Sequence, residues 1–196
     1  MNRMEVKSQT ALFLLLLCWV VAILSYPTGA PVGQCVMMTP NHSNATLSNM
    51  SSPYSVTVNA STYVLGGIIK VYINSSVPYR GILLEARDVN TSAIVGTWKD
   101  LSTNTKTLNC GLGTNNAVTH CNNTDKSGLV YTWVAPAKNG PNKVVFMATV
   151  VKIRVEYWIE LKSSELTLAT TGAAFGLKSS AFVTLSLLSL GLVHFL

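Results

Sequence analysis

Through the middle of the chain apolar and polar residues alternate in short runs, whereas near both ends apolar residues gather into unbroken blocks. The central runs include 54–58 (YSVTV), 68–73 (IIKVYI), 81–87 (GILLEAR), 93–99 (AIVGTWK), 129–134 (LVYTWV) and a long one at 143–161. Period-two alternation, rich in β-branched and aromatic residues and broken by Gly, Pro and Asn, predicts short half-buried strands. In 81–87, Ile82, Leu84 and Ala86 fall on one face and Leu83, Glu85 and Arg87 on the other. Lys152, Arg154 and Glu156 alternate with Val151, Ile153, Val155 and Tyr157, which reads as one strand with a charged outer face. Asn139-Gly140-Pro141-Asn142 separates the run around Trp133 from the one around Val144. The pattern predicts an all-β sandwich, with helical character confined to the two terminal blocks.

Those blocks change the picture most. Arg3 and Lys7 precede the apolar run 11–24 (ALFLLLLCWVVAIL), and Ser25 supplies a small residue at a cleavage point. A charged start, an apolar stretch and a small residue predict a secretory signal peptide over 1–25. The rival readings are a core helix or a membrane anchor, but the run is shorter than the roughly 20 residues of a spanning helix. The second block, 181–196 (AFVTLSLLSLGLVHFL), follows Gly172-Ala173-Ala174 and a spacer holding Lys178. Small residues, a spacer and an apolar tail predict a glycosylphosphatidylinositol attachment signal over 173–196. Gly172 is then the lipid-attachment residue, Ser179 and Ser180 are alternatives, and a short transmembrane helix is the competing reading. Between the ends lie one domain, 26–162, and a linker, 163–172. The expected location is the outer face of the plasma membrane, or the medium.

The whole chain carries a formal charge of +6. Losing Arg3, Lys7 and Lys178 from the bases and Glu5 from the acids leaves the mature part at +4. Lys70, Arg80, Arg87, Lys99, Lys106 and Lys126 are scattered singly, which argues against nucleic acid as a partner and predicts solvated side chains. In the secretory pathway the Asn-x-Ser/Thr sequons at Asn41, Asn44, Asn49, Asn59, Asn74, Asn90 and Asn122 become candidate glycosylation sites. Three of them lie in 41–51 and mark a polar loop there. Cys18 departs with the leader, so Cys35, Cys110 and Cys121 remain, and an oxidising compartment pairs two of them. Any of the three pairings is open to the residues.

Candidate chemistry is sparse. His42, His120 and His194 are far apart, and the cysteine spacings do not suit zinc. Gly111-Leu112-Gly113 reads as a plain loop. Trp98, Trp133 and Trp158 read as sandwich core rather than a sugar-stacking platform. Glu85 and Asp88, or Glu156 and Glu160, read as surface charges rather than a glycosidase pair. No cofactor is expected, and the chain is not expected to be an enzyme.

Tyr26-Pro27-x-Gly29-Ala30-Pro31, Cys35 and Met38-Thr39-Pro40-Asn41-His42 resemble the opening of a reeler domain, the reelin N-terminal type. Tyr79-Arg80-Gly81-Ile82-Leu83-Leu84-Glu85-Ala86-Arg87 resembles its most recognisable strand. Val95-Gly96-Thr97-Trp98, Leu108-Asn109-Cys110, Ala117-Val118-Thr119-His120 and Tyr131-Thr132-Trp133-Val134-Ala135-Pro136 follow in the family's order. The resemblance implies an immunoglobulin-like β-sandwich and a Cys35–Cys110 disulfide. Cys121 departs from the pattern, as a free thiol, a link to another chain or part of a different pairing. Single-domain members resemble insect-type defence proteins, which implies recognition of microbial surface polymers or extracellular glycans. Other members are matrix proteins, which implies an adhesion role; in that reading Cys121, the thiol that departs from the family pattern, is the candidate for a disulfide-linked dimer. Longer members are ferric-chelate reductases, which implies an accessory role beside a haem protein. The domain itself holds no haem or flavin machinery, so reductase activity is not carried over.

Overall fold

The computed structural model describes residues 26–40 and 45–169. The predicted leader, Asn41, His42, Asn44 and the predicted anchor segment with Gly172, Ser179, Ser180 and His194 lie outside them. The described residues are all-β, with one short 3-10 turn at Val32–Gln34. In chain order the strands are β1 (Thr46–Leu47), β2 (Tyr54–Val58), β3 (Thr62–Tyr63), β4 (Ile68–Ser75), β5 (Gly81–Asp88) and β6 (Thr97–Lys99). Then come β7 (Thr105–Leu108), β8 (Ala117–His120), β9 (Leu129–Val134), β10 (Lys143–Ile153), β11 (Glu156–Lys162) and β12 (Leu166–Leu168). The larger sheet runs β1-β11-β10-β5-β8-β7, with β12 paired to β10 and to β3; the smaller runs β2-β4-β9-β6.

The inner faces follow from the alternation. Ile82, Leu84 and Ala86 of β5, Phe146, Ala148 and Val150 of β10, and Val118 of β8 meet Val56, Ile69, Val71, Ile73, Tyr131 and Trp133 of the smaller sheet in one buried cluster. Phe146 stands edge-on to both Trp133 (centroids 5.3 Å apart) and Trp98 (5.8 Å), an arrangement that adds to simple area burial. Tyr54 does the same against Trp158 at 5.2 Å. The three tryptophans are therefore core, as the alternation predicts.

Two runs fold differently from their pattern. In 93–99 only Thr97–Lys99 forms a strand, because Gly96 takes φ +70° and turns the chain. A Cβ at Gly96 would lie 2.4 Å from Trp133 Nε1, so glycine is also what lets the turn sit on that ring. The run 143–161 is two strands, β10 and β11, folded back at Arg154 and Val155. Lys152 and Glu156 consequently face each other across a hairpin as an ion pair at 3.1 Å, rather than lining one strand. That turn contains no Gly, Pro or Asn, so its composition hides it.

Strand β5 is the centre of the larger sheet and is buried along both faces. Its second face, Leu83-x-Glu85-x-Arg87, is covered by the segment 26–40, which crosses the sheet as a strap. Register places Leu83 between Thr119 and Thr149, Glu85 between Ala117 and Met147, and Arg87 beside Val145. A second, smaller buried cluster of Cys35, Met38, Leu83, Cys110 and Ala117 lies there.

Candidate functional site

The strap is held by polar fastenings spread along its length. At its start, the His120 ring lies with Nε2 3.0 Å from the Tyr26 carbonyl oxygen. Next, the Ala30 N–H donates to Thr119 Oγ1 at 2.8 Å, and that hydroxyl donates to the Ile82 carbonyl at 2.9 Å. The centre is covalent: Cys35 and Cys110 form a disulfide, with Cα atoms 5.8 Å apart. Beyond it, Arg87 donates to the carbonyls of Cys35 and Val36, and the Thr149 hydroxyl donates to the Met38 carbonyl. Gly29 takes φ +127°, and a Cβ there would meet the His120 carbonyl oxygen at 2.8 Å. Glycine lets the strap lie flat on β8.

Under the strap Glu85 and Arg87 form a buried ion pair, Arg87 Nε and Nη2 donating to Glu85 Oε2 at 2.9 and 2.7 Å. Glu85 is 0% exposed, which corrects the reading of it as a surface charge. Residues i and i+2 on a strand share a face, so the sequence contained the pairing; the cover from a segment some fifty residues upstream could not be seen in it. Burial pushes the Glu85 carboxyl up to about 7, with the guanidinium pulling it back. Such a pair, with the Arg87 donors also spent on strap carbonyls, fixes one position for the strap rather than adding much net stability.

Lys126 also departs from its solvated reading. It is 4% exposed, and its ammonium donates to the carbonyls of Arg80, Asn122 and Thr124 at 2.9, 2.9 and 2.8 Å. Burial holds its pKa below the ordinary value. It ties the 121–126 loop, with half-buried Cys121, to the start of β5. Cys121 has no disulfide partner. Among the sequons, Asn49, Asn59, Asn74 and Asn90 are exposed; Asn122 is half-buried, its amide donating to Asn104 Oδ1 at 2.8 Å.

Around the disulfide the surface is unusually apolar. Val36 and Met37 are 76% and 72% exposed on the strap, and Leu112 is fully exposed at the tip of the Cys110 loop. That loop is rigid at its base, since the Asn116 side chain both donates to and accepts from the Cys110 backbone (2.9 and 2.7 Å). Beside the strap runs a groove of about 400 Å³ whose lining includes Met37, Arg87, Asp88, Met147, Lys162 and Glu165. Glu85, Cys35 and Cys110 approach one another closely, but with both sulfurs in a disulfide they offer no thiolate to a metal.

The reeler domain model matches residues 33–173, most of the chain. The chain belongs to the reeler domain family. As a reeler domain it is 36% identical over 163 residues to "Putative defense protein 3" of Antheraea mylitta, covering 78% of this chain and 97% of that protein. It is 34% identical over 159 residues to "Putative ferric-chelate reductase 1" of Danio rerio, covering 80% of this chain but only 27% of that protein. The solved reeler domain of human F-spondin shares the fold, with a TM-score of 0.53 at 19% identity over 64% of this chain and 96% of that one. The β-sandwich implied by the resemblance is therefore the fold of this chain. Among the described residues no helix is long and apolar enough to cross a membrane.

Proposed function

We propose that this reeler domain is a non-enzymatic extracellular recognition module of innate defence, tethered to the cell surface through a lipid at Gly172 and binding microbial surface polymers. The observation that carries the reading is the similarity to an Antheraea mylitta defence protein across 97% of that protein's length, so that the shared unit is nearly the whole of it. The strap supports it. A disulfide and buried polar fastenings hold Val36, Met37 and Leu112 out of a rigid sheet, and exposed apolar side chains on fixed loops are how β scaffolds present a binding surface.

The test is binding of the purified glycoprotein to lipopolysaccharide, lipoteichoic acid and β-glucan, compared with an unrelated glycoprotein and with a Met37→Glu, Leu112→Glu variant. Saturable binding lost in the variant supports the reading; binding no greater than the control's, for all three polymers, overturns it. Tethering is tested separately, by phosphatidylinositol-specific phospholipase on intact expressing cells: release supports the lipid anchor, and retention favours a spanning helix. A second reading, an accessory beside a membrane reductase, draws on the Danio rerio similarity. Co-purification with a haem protein in mild detergent separates it from the first.

A further inference from the structure

Strand β3 leads into a tight turn, closed where the Gly67 N–H donates to the Val64 carbonyl at 3.0 Å. Such turns ordinarily show Gly, Pro, Asn, Asp or Ser to water. Here Val64 and Leu65 are 53% and 44% exposed, and Ile68, the first residue of β4, is 53% exposed. The turn is held from the loop after β9: the Gly66 N–H donates to the Pro136 carbonyl at 3.0 Å, and the Ala135 N–H to the Gly67 carbonyl at 2.9 Å. Gly140 of that loop backs Leu65 directly, since a Cβ there would meet Leu65 Cδ2 at 2.7 Å. Just before the turn, Tyr63 is buried edge-on to Trp133, with ring centroids 5.7 Å apart. The three apolar side chains are thus held in place at the surface.

The chain leaves the sandwich beside this turn. Strands β3 and β12 pair in parallel, Thr62 with Thr167 and Tyr63 with Leu168. Residues that follow Leu168 therefore head the same way as those that follow Tyr63, and the Ala169 N–H donates to the Tyr63 carbonyl at 2.8 Å. The proposed attachment residue, Gly172, is three residues further on, within about 11 Å of Ala169 even along a fully extended chain. Lys138, exposed between Pro136 and Gly140, adds a cation at the same end. The sequon at Asn90 follows β5, three strand spacings from β3 through β10 and β12, about 14 Å. Asn59 precedes β3, whereas the turn follows it, so glycans at these two sites border the apolar turn rather than cover it.

We infer that the turn of Val64 and Leu65, with Ile68 and Lys138, is a membrane-docking surface that seats this end of the domain on the phospholipid headgroups of the bilayer to which the chain is tethered. The inference rests on the anchored reading proposed above, in its lipid or its spanning form. Three half-exposed apolar side chains are too few to hold a free protein on a bilayer. A short tether changes this by making the contact intramolecular, at an effective concentration in the millimolar range. Apolar residues then enter the boundary between headgroups and acyl chains, and the Lys138 ammonium stays at the level of the phosphates. Docking sets an orientation that a flexible tether alone does not.

The test places a tryptophan at the turn. The protein with its anchor, expressed from the full chain and purified from cell membranes in mild detergent, is reconstituted into vesicles of plain or brominated phosphatidylcholine, as Leu65→Trp and as Val155→Trp. Val155 is exposed beyond the far end of β10, whose first residue, Lys143, pairs with β12 near the chain exit. After subtraction of the wild-type emission, an indole about 5–10 Å into the interface should lose emission at least about two-fold in brominated lipid. That loss at position 65 and none at 155 supports the docking. Equal behaviour of the two variants, quenched or unquenched, overturns it. If Leu65→Trp does not fold, Val64→Trp makes the same comparison from the adjoining position. Phosphatidylinositol-specific phospholipase on the same vesicles separates this inference from the anchor. Quenching with release supports both. Quenching without release keeps the docking and replaces the lipid by a spanning helix. Release from vesicles that showed no quenching keeps the anchor and overturns the docking, and protein recovered only from the medium overturns both.

Discussion

Replacing Arg87 by Leu tests whether the strap depends on the polar pair beneath it. The substitution removes the donors to Glu85 Oε2 and those to the carbonyls of Cys35 and Val36, and leaves a carboxyl of 0% exposure without a partner. Truncating one member of a buried pair costs about 3–5 kcal/mol, because the other is left uncompensated. Replacing both residues, Glu85→Leu with Arg87→Leu, removes the stranded charge as well, and should recover most of that loss. The assay is urea unfolding by tryptophan fluorescence with the disulfide intact. A pH series adds a second reading. The folded Glu85 has a raised pKa, so it contributes stability that is fully present below about 4.5 and is lost as pH rises through about 7. Relative to Glu85→Gln, the wild type should gain stability on acidification across that window, by at most about 3 kcal/mol. A single Arg87→Leu loss under about 1 kcal/mol, or a double variant no better than the single, refutes the account of a pair that fixes the strap at the cost of burial.

Gly96→Ala should destabilise by about 3 kcal/mol or more, since the residue has φ +70° and its Cβ would strike Trp133 and the Val134 carbonyl; an unfolding midpoint unchanged in urea would contradict this. Cys110→Ser, opening a disulfide that spans 75 residues, should cost about 4 kcal/mol, read in the same assay. Cys121→Ser is expected to abolish any reducible dimer without altering stability by more than about 0.5 kcal/mol, checked by non-reducing electrophoresis and urea unfolding. Deglycosylation in heavy-oxygen water should mark Asn49, Asn59, Asn74 and Asn90, whose side chains are exposed; an unmarked peptide at any of them counts against glycosylation there.

The alternation of 54–58, 81–87 and 129–134 placed β2, β5 and β9 almost to the residue, because each inner face is buried against the opposite sheet. Period-two reading failed where strands are very short or where the alternation runs unbroken through a hairpin turn. Strands β1, β3 and β12 have two or three residues each, too few to show a period, and they exist only as partners of β11, β12 and β10. In 143–161 the alternation continues through the hairpin turn without a break in composition, so one strand was read where two are formed.

The strap site was the least visible, for a physical reason that bears on function. Thr119, Thr149, His120 and Arg87 each act on a backbone carbonyl or N–H of the strap, and a backbone acceptor leaves no trace in residue type. Only the cysteines and Gly29 advertise the crossing, the first through the family resemblance and the second through a conformation that is known only once the chain is folded. A cover fastened by backbone contacts tolerates change in its outward side chains, because the side chains of Val36 and Met37, like that of Leu112 on the neighbouring loop, supply no fastening. The same design that hides the site from the sequence leaves its exposed residues free to vary, so under the proposed recognition role specificity would reside in those outward positions, while the polar row beneath them fixes the strap's position.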